Sequence, residues 1–480
     1  MTINSAVIDV GGSSVKVTIR NQNSETIESH VVSITSVVQG KHIYINPETL
    51  FSIVMETMNK CMEKFVDGVK VDKIYISSLR QGFCLIADSK EITPLYLNSD
   101  TSGDSAKLDI ESYGSAKIYD ETGHWFAPQL TLPKLINLFR QKPEWIGKKF
   151  KLLFIHDWLV WRLTNQLVTE MTLVSAGQMA MISEKKIHTV MLEHFNISPD
   201  IFPNLSDFRD EVSELNKHCL DNLNKGWGSA VVHVGGGDSH FLHLGASGNK
   251  FGTIVVSAGS STPISLLSQT LGHSRILHPW KSTSFSPDMY FLEGNLGYPG
   301  SFHGWLKKNI STQISSYAID VTSISRAPTV FGACNMWNEE KWESRPAFSI
   351  LGDFSGCSSN DLALGLALDY AYALSNQISH LIADLFEVNE IVLTGGGANI
   401  ELYKILKSLL TVPIRLISTN TAVNNLFSLL EYGDDAQVDL GIEVENLDLG
   451  TSQFLREQAT NHAVLYSQAE GTRKVLENAK

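Results

Sequence analysis

Val234-Gly235-Gly236-Gly237-Asp238, read together with Asp9-Val10-Gly11-Gly12-Ser13-Ser14-Val15-Lys16, decides how this chain is understood. Each run is an apolar strand that ends in a glycine turn carrying one carboxylate. Glycine lets a backbone approach a ligand closely and take up φ > 0. Turn amides and hydroxyls form a nest for phosphate, and an aspartate beside such a turn can hold a metal ion or take a proton. Two such turns in one chain point to a nucleotide cleft between two similar halves. A plain β-hairpin accounts for the glycines of the first run but not for Asp9. A helix cap near Ser239 accounts for Asp238 alone.

Outward from these runs the chain alternates strands and helices. Residues 6–10, 15–20 and 28–34 are rich in β-branched side chains and read as strands. Phe51, Val54, Met55, Met58, Met62 and Phe65 share one helical face that ends near Gly68, with the methionines as core packing. A strand at 73–77 follows. In the second half, strands at 231–234 and 253–257 precede a helical stretch over 362–386, and a strand at 390–394 runs into Gly395-Gly396-Gly397. The polar, glycine-containing stretch 222–229 marks a boundary between domains 1–228 and 229–480. The acidic stretch 431–448 has no Lys or Arg and reads as a solvated surface. From Thr451 the tail reads as helix.

Four segments in order resemble the FGGY family of carbohydrate kinases: the Asp9 hairpin, the Gly235–Asp238 run, Val256-Ser257-Ala258-Gly259-Ser260-Ser261, and Leu393-Thr394-Gly395-Gly396-Gly397-Ala398-Asn399. The resemblance implies two α/β domains of actin/Hsp70-like (ribonuclease H-like) fold flanking an interdomain cleft. It implies ATP as phosphoryl donor and Mg²⁺ as its ion, with Asp238 as catalytic base and Asp9 acting on Mg²⁺ through water. Gly11, Gly12, Ser13, Ser14 and Lys16 would meet the phosphates. Gly259, Ser260 and Ser261 would meet them from the other domain, and Gly395, Gly396, Gly397 and Asn399 would lie on the adenosine side. On the acceptor side, Ser77-Ser78-Leu79-Arg80-Gln81-Gly82 matches the family's sugar-binding strand end. That segment reads Gln-Met-His-Gly in xylulose kinases and Met-Arg-Glu-Gly in autoinducer-2 kinases. Asn98-Ser99-Asp100 matches its neighbour, so Arg80, Gln81 and Asp100 are the expected sugar ligands. His156-Asp157-Trp158-Leu159 also resembles a family helix. The usual small residues beside the adenine are replaced by Ala422-Val423-Asn424-Asn425-Leu426-Phe427, which is expected to crowd that helix and weaken nucleotide binding.

The 480 residues suffice for two or more cores, with 43% hydrophobic and 19% charged residues. A net charge of −13 argues against a broad nucleic-acid footprint. The five cysteines form no Cys-x-x-Cys and suit reduced thiols in a cytoplasmic protein. No signal peptide is evident, and no stretch is apolar enough to span a bilayer. There is no Gly-x-x-x-x-Gly-Lys-Ser/Thr, which disfavours a P-loop kinase. His233, Asp238, His240 and His243 lie close in sequence, but helix packing explains these histidines more simply than zinc does. The expected function is an ATP-dependent kinase acting on a hydroxyl of a small sugar, a ketose such as xylulose, or a polyol. An autoinducer-2-type kinase and a catalytically silent binder on the same fold are the alternatives. The expected partner is a small sugar, with neither nucleic acid nor membrane, and a homodimer is left open.

Overall fold

Six strands of the first half form one sheet because their β-branched residues bury one or both faces, with Glu211–Glu214 at one edge. In the computed structural model, β1 (Ser5–Val10) pairs antiparallel with β2 (Ser14–Asn21), and β2 with β3 (Thr26–Ser33). Helix α1 (Pro47–Met62) is capped by Asn46, whose side chain accepts from the amides of Glu48 and Thr49 at 2.9 and 3.2 Å. Its Met55, Met58 and Met62 lie in the core against the sheet, as the sequence pattern anticipates. On the other side of β1 runs β4 (Lys73–Ser78), parallel to it, and beyond β4 lies β5 (Val231–Gly237), also parallel. The structure describes residues 4–21, 26–65, 69–259, 261–272, 278–297, 304, 308, 318–331, 349–352, 355–383, 387–398 and 400–478. Gly68, Ser260, Cys334 and Asn399 therefore lie outside the described residues.

The chain forms two compact units. The first comprises Met1–Leu242, Lys281–Tyr290 and Phe427–Ala436, and the second His243–Trp280, Phe291–Leu426 and Gln437–Lys480. The second unit is built on β6 (Thr253–Ser257), which pairs antiparallel with β7 (Pro263–Ser268) and parallel with β8 (Glu390–Thr394); β8 pairs parallel with β9 (Ile414–Leu416). A long helix, Ser359–Ala383, and a terminal helix, Leu449–Asn478, belong to this unit. Each unit thus combines parallel strands with an antiparallel hairpin and covering helices, which is the actin/Hsp70-like arrangement.

Two expectations change. Glu431 opens the acidic stretch, but its side chain is buried and pairs with Arg20 at 3.4 Å, so that residue is not part of a solvated surface. Asn425 does not project as a crowding group. Its side chain donates to the carbonyl of Asp439 and accepts from the Asp439 amide, both at 2.8 Å. The close helix approach is made possible from the opposite side, by Gly245. A Cβ there would meet the Ala422 carbonyl oxygen at 2.4 Å.

Candidate active site

The parallel order β5–β4–β1 brings three strand ends to one edge of the first unit's sheet. Asp9 stands opposite Ser77, and Ser78 stands opposite both Val10 and Gly237. The carboxyl ends of parallel strands are where open α/β sheets receive ligands, because the chain there turns out of the ladder and leaves polar groups unpaired. Ser77 Oγ donates to Asp9 Oδ1 at 2.8 Å. Burial, and then the charge of Asp238, push the Asp9 carboxyl up to about 6; Ser77 and Lys16 oppose the shift. The strand register sets Asp238, directly after Gly237, at the same sheet edge as Asp9.

The β1–β2 turn leaves Gly12 and Ser13 exposed, with the Gly11 amide donating to the Ser14 carbonyl at 2.9 Å. Neither Gly11 nor Gly12 takes φ > 0, contrary to the expectation for this turn. A Cβ on either would meet nothing nearer than 3.4 Å. The fold therefore does not demand these glycines, and their effect is to leave the backbone open to an approaching group. Gly235 is different. The ladder shifts register between His233 and Gly236, so Val234 and Gly235 stand opposite Ile76 alone. A Cβ on Gly235 would fall 1.7 Å from the Ile76 carbonyl oxygen.

Asp238 opens the helix Asp238–Ser247, and its Oδ1 accepts from the Ser239 amide at 2.7 Å. Its side chain remains 42% exposed, whereas that of Arg80 beside it is 9% exposed, with Nε 3.6 Å from Asp238 Oδ1. The bond to the first-turn amide of Ser239 and a partly accessible carboxylate therefore coexist. Arg80 lies across Gly237, where a Cβ would meet the arginine stem at 2.7 Å. Next to it, His124 is fully buried; burial, reinforced by the Arg80 charge, lowers it to about 4 against a bond to Thr122, so the ring is neutral.

Gln81 adopts φ 64, a left-handed conformation unusual for a side chain of its size. Its carbonyl accepts from Thr131 Oγ1 at 3.1 Å and Lys134 Nζ at 2.8 Å, and its side-chain amide donates to the Ala176 carbonyl at 3.3 Å. Lys134 also donates to the Leu97 carbonyl at 2.9 Å, and burial lowers it to about 7. Asp100 is fully buried. Its oxygens accept from the Ile43 amide at 2.8 Å and from the amide and hydroxyl of Ser102 at 2.9 and 2.5 Å. These bonds brace the segment after Leu97 rather than leaving the carboxylate open. Residue reading alone missed Phe285, which covers Gly236 and stacks on Phe208 at 3.8 Å; no local signal marks it.

In the second unit, two loops meet at the ends of β6 and β8. The Ala258 amide donates to the Thr394 carbonyl, and the Gly397 amide to the Ala258 carbonyl, both at 2.7 Å. Gly395 takes φ 94, and a Cβ there would meet the Ala258 oxygen at 2.7 Å. The Gly259 amide donates to the Ser261 carbonyl at 3.1 Å, and Gly396 has open space around it. His240 and His243 diverge. His240 bonds the Thr283 carbonyl at 3.1 Å and His243 bonds Ser265 Oγ at 2.7 Å, and no cluster of three or more metal-ligating side chains occurs among the described residues.

Paired carboxylates beside an open glycine hairpin, on an actin-like frame, define a class of ATP-dependent phosphotransferases. Residues 5–245 match the FGGY family of carbohydrate kinases, N-terminal domain, and the chain belongs to that family. It is 22% identical over 408 residues to a xylulose kinase of Staphylococcus xylosus, covering 82% of each chain. Its fold superposes on a ligand-bound xylulose kinase of Lactobacillus acidophilus with a TM-score of 0.81 at 16% identity, covering 97% of this chain and 98% of that one. A gluconate kinase from the same organism gives 0.81 at 17% identity, covering 98% of each. The protein is a sugar or polyol kinase that uses ATP as co-substrate. No helix among the described residues is long and apolar enough to cross a membrane.

Proposed function

We propose that this kinase transfers the γ-phosphoryl group of ATP to a hydroxyl of a small ketose of the xylulose type. The strand register that sets Asp9 and the Gly237–Asp238 end at one sheet edge carries the reading. A sugar hydroxyl is a poor nucleophile until its proton can leave, and Asp238, exposed and next to Arg80, serves as the general base. Arg80 and Gln81 orient the acceptor, and Asp100 holds the adjoining segment in place. Gly11, Gly12, Ser13, Ser14 and Lys16 receive the phosphates, as do Gly259, Ser260 and Ser261. Gly395, Gly396, Gly397 and Asn399 receive the nucleoside. The donor chemistry at Asp9 suits Mg²⁺. A hard oxygen site with a second carboxylate close by has repulsion that a divalent cation relieves. When bound, the ion neutralises phosphate charge. The free thiols of Cys61, Cys84, Cys219 and Cys357 and the use of ATP suit the cytosol.

The xylulose kinase named above supports a ketose acceptor. An ATP-consumption screen over pentuloses, hexuloses, polyols and sugar acids tests the reading. Turnover is expected with D-xylulose or a close ketose, and turnover confined to sugar acids would overturn the acceptor class.

A further inference from the structure

The triple glycine before Asp238 is held from below by a buried histidine that the reading of the reaction does not use. The Gly235 amide donates to His156 Nε2 at 3.0 Å, and His156 Nδ1 lies 2.9 Å from Asp157 Oδ1. Both side chains are fully buried. Asp157 Oδ2 accepts from the Phe154 amide at 3.2 Å, at the start of the helix Ile155–Thr164, so the carboxylate is itself fixed. For Nε2 to accept, the ring proton must sit on Nδ1, where the Asp157 carboxylate takes its hydrogen bond.

This bond falls at the register shift. The two residues at the bulge lack ordinary ladder partners on that edge. The Val234 amide is satisfied by the Asp210 carbonyl at 2.8 Å, and Gly235 by His156. The bulge stands three residues before Asp238. Ironing it out by one residue would advance Asp238 by about 3.3 Å along the strand and turn it to the opposite face. A misplacement of about 1 Å can already cost on the order of a hundredfold in rate.

We propose that His156, oriented by Asp157, is a positioning residue that locks the Gly235 bulge and thereby sets where Asp238 meets the acceptor hydroxyl. The inference rests on Asp238 being the base. His156→Phe removes the acceptor nitrogen at similar size, and His156→Gln returns an acceptor oxygen near the Nε2 position. Three measurements on the full chain test it: amide exchange across residues 231–240, turnover with MgATP and D-xylulose, and the ¹⁵N shifts of the wild-type His156 ring. Expected are an Nδ1–H ring in the wild type and at least tenfold faster Gly235 exchange in H156F. At least tenfold lower kcat with both KM values within about twofold is expected too, with recovery of exchange and kcat in H156Q. An Nε2–H ring, unchanged Gly235 exchange in H156F, or H156Q as impaired as H156F would overturn the proposal. The ring measurement on the wild type needs neither a folded H156F nor a known acceptor, and the exchange measurement needs no known acceptor. If Asp238→Asn keeps full turnover while exchange responds as expected, the base assignment fails and His156 still supports the bulge.

Discussion

At the scale of single residues, Asp9 links stability and turnover to pH in opposite directions. Asp9 has a folded value of about 6 against an ordinary 3.8. Between those values the folded chain holds a proton that the unfolded chain has released. The stability linked to this group is therefore complete below about 4 and lost as pH rises through about 6, with no further change above. Asp9→Asn should raise stability at pH 7 by on the order of 2 kcal/mol while abolishing turnover, and chemical denaturation beside an activity assay checks both. In the wild type, kcat/KM should fall about tenfold per pH unit below about 6, because the protonated carboxyl no longer serves the phosphate side. A flat profile down to pH 5 would separate Asp9 from catalysis. Asp238→Asn keeps size and removes proton acceptance, so turnover should fall by roughly two to four orders of magnitude with acceptor binding retained. Arg80, buried across Gly237, should act on the acceptor alone. Arg80→Ala is expected to raise the acceptor KM at least tenfold with little change for ATP. A rise confined to the ATP constant would reverse that assignment.

At the scale of elements, glycines do three different things. At Gly11 and Gly12 the fold tolerates a side chain, and their absence of one leaves the backbone open. At Gly235 the neighbouring strand forbids one, and at Gly245 the facing helix does. The last case relocates a feature that the sequence suggested elsewhere. Asn424 and Asn425, in place of the family's small residues, are expected to crowd the helix Thr419–Tyr432, but the space is provided by Gly245 on its partner, while Asn425 fastens Asp439. Asn425→Gly should therefore not improve ATP use. It leaves both polar groups of the Asp439 peptide without this partner and puts glycine within a helix, with an expected loss of about 2–4 kcal/mol read as a fall in Tm. An unchanged Tm with a lower ATP KM would restore the crowding explanation.

At the scale of the whole molecule, ATP use implies that a nucleotide bound to the folded chain alone must stabilise it. MgADP at a hundred times its Kd should add about 2.7 kcal/mol, seen as a rise in Tm, and no rise at millimolar MgADP would contradict nucleotide use. Much of this chain is legible locally. Strands 253–257 and 390–394 lie where their β-branched runs place them, and α1 buries the face its apolar spacing marks. The two carboxylates were legible because turn chemistry is written within a few residues: an apolar strand, glycines and one acid. What could not be read is which groups meet. Ser77 reaches Asp9 only because β4 pairs with β1, Phe285 covers Gly236 from far along the chain, and His156 finds the Gly235 amide across 79 positions. Asp100 carries the motif of a ligand, yet its surroundings turn both oxygens inward. Sequence alone determined the family, the turns and the acids, because these depend on local backbone preference and side-chain type. The tertiary structure decided strand register, burial and hydrogen-bond partners, because these depend on which distant segments fill the same space and satisfy each other's polar groups.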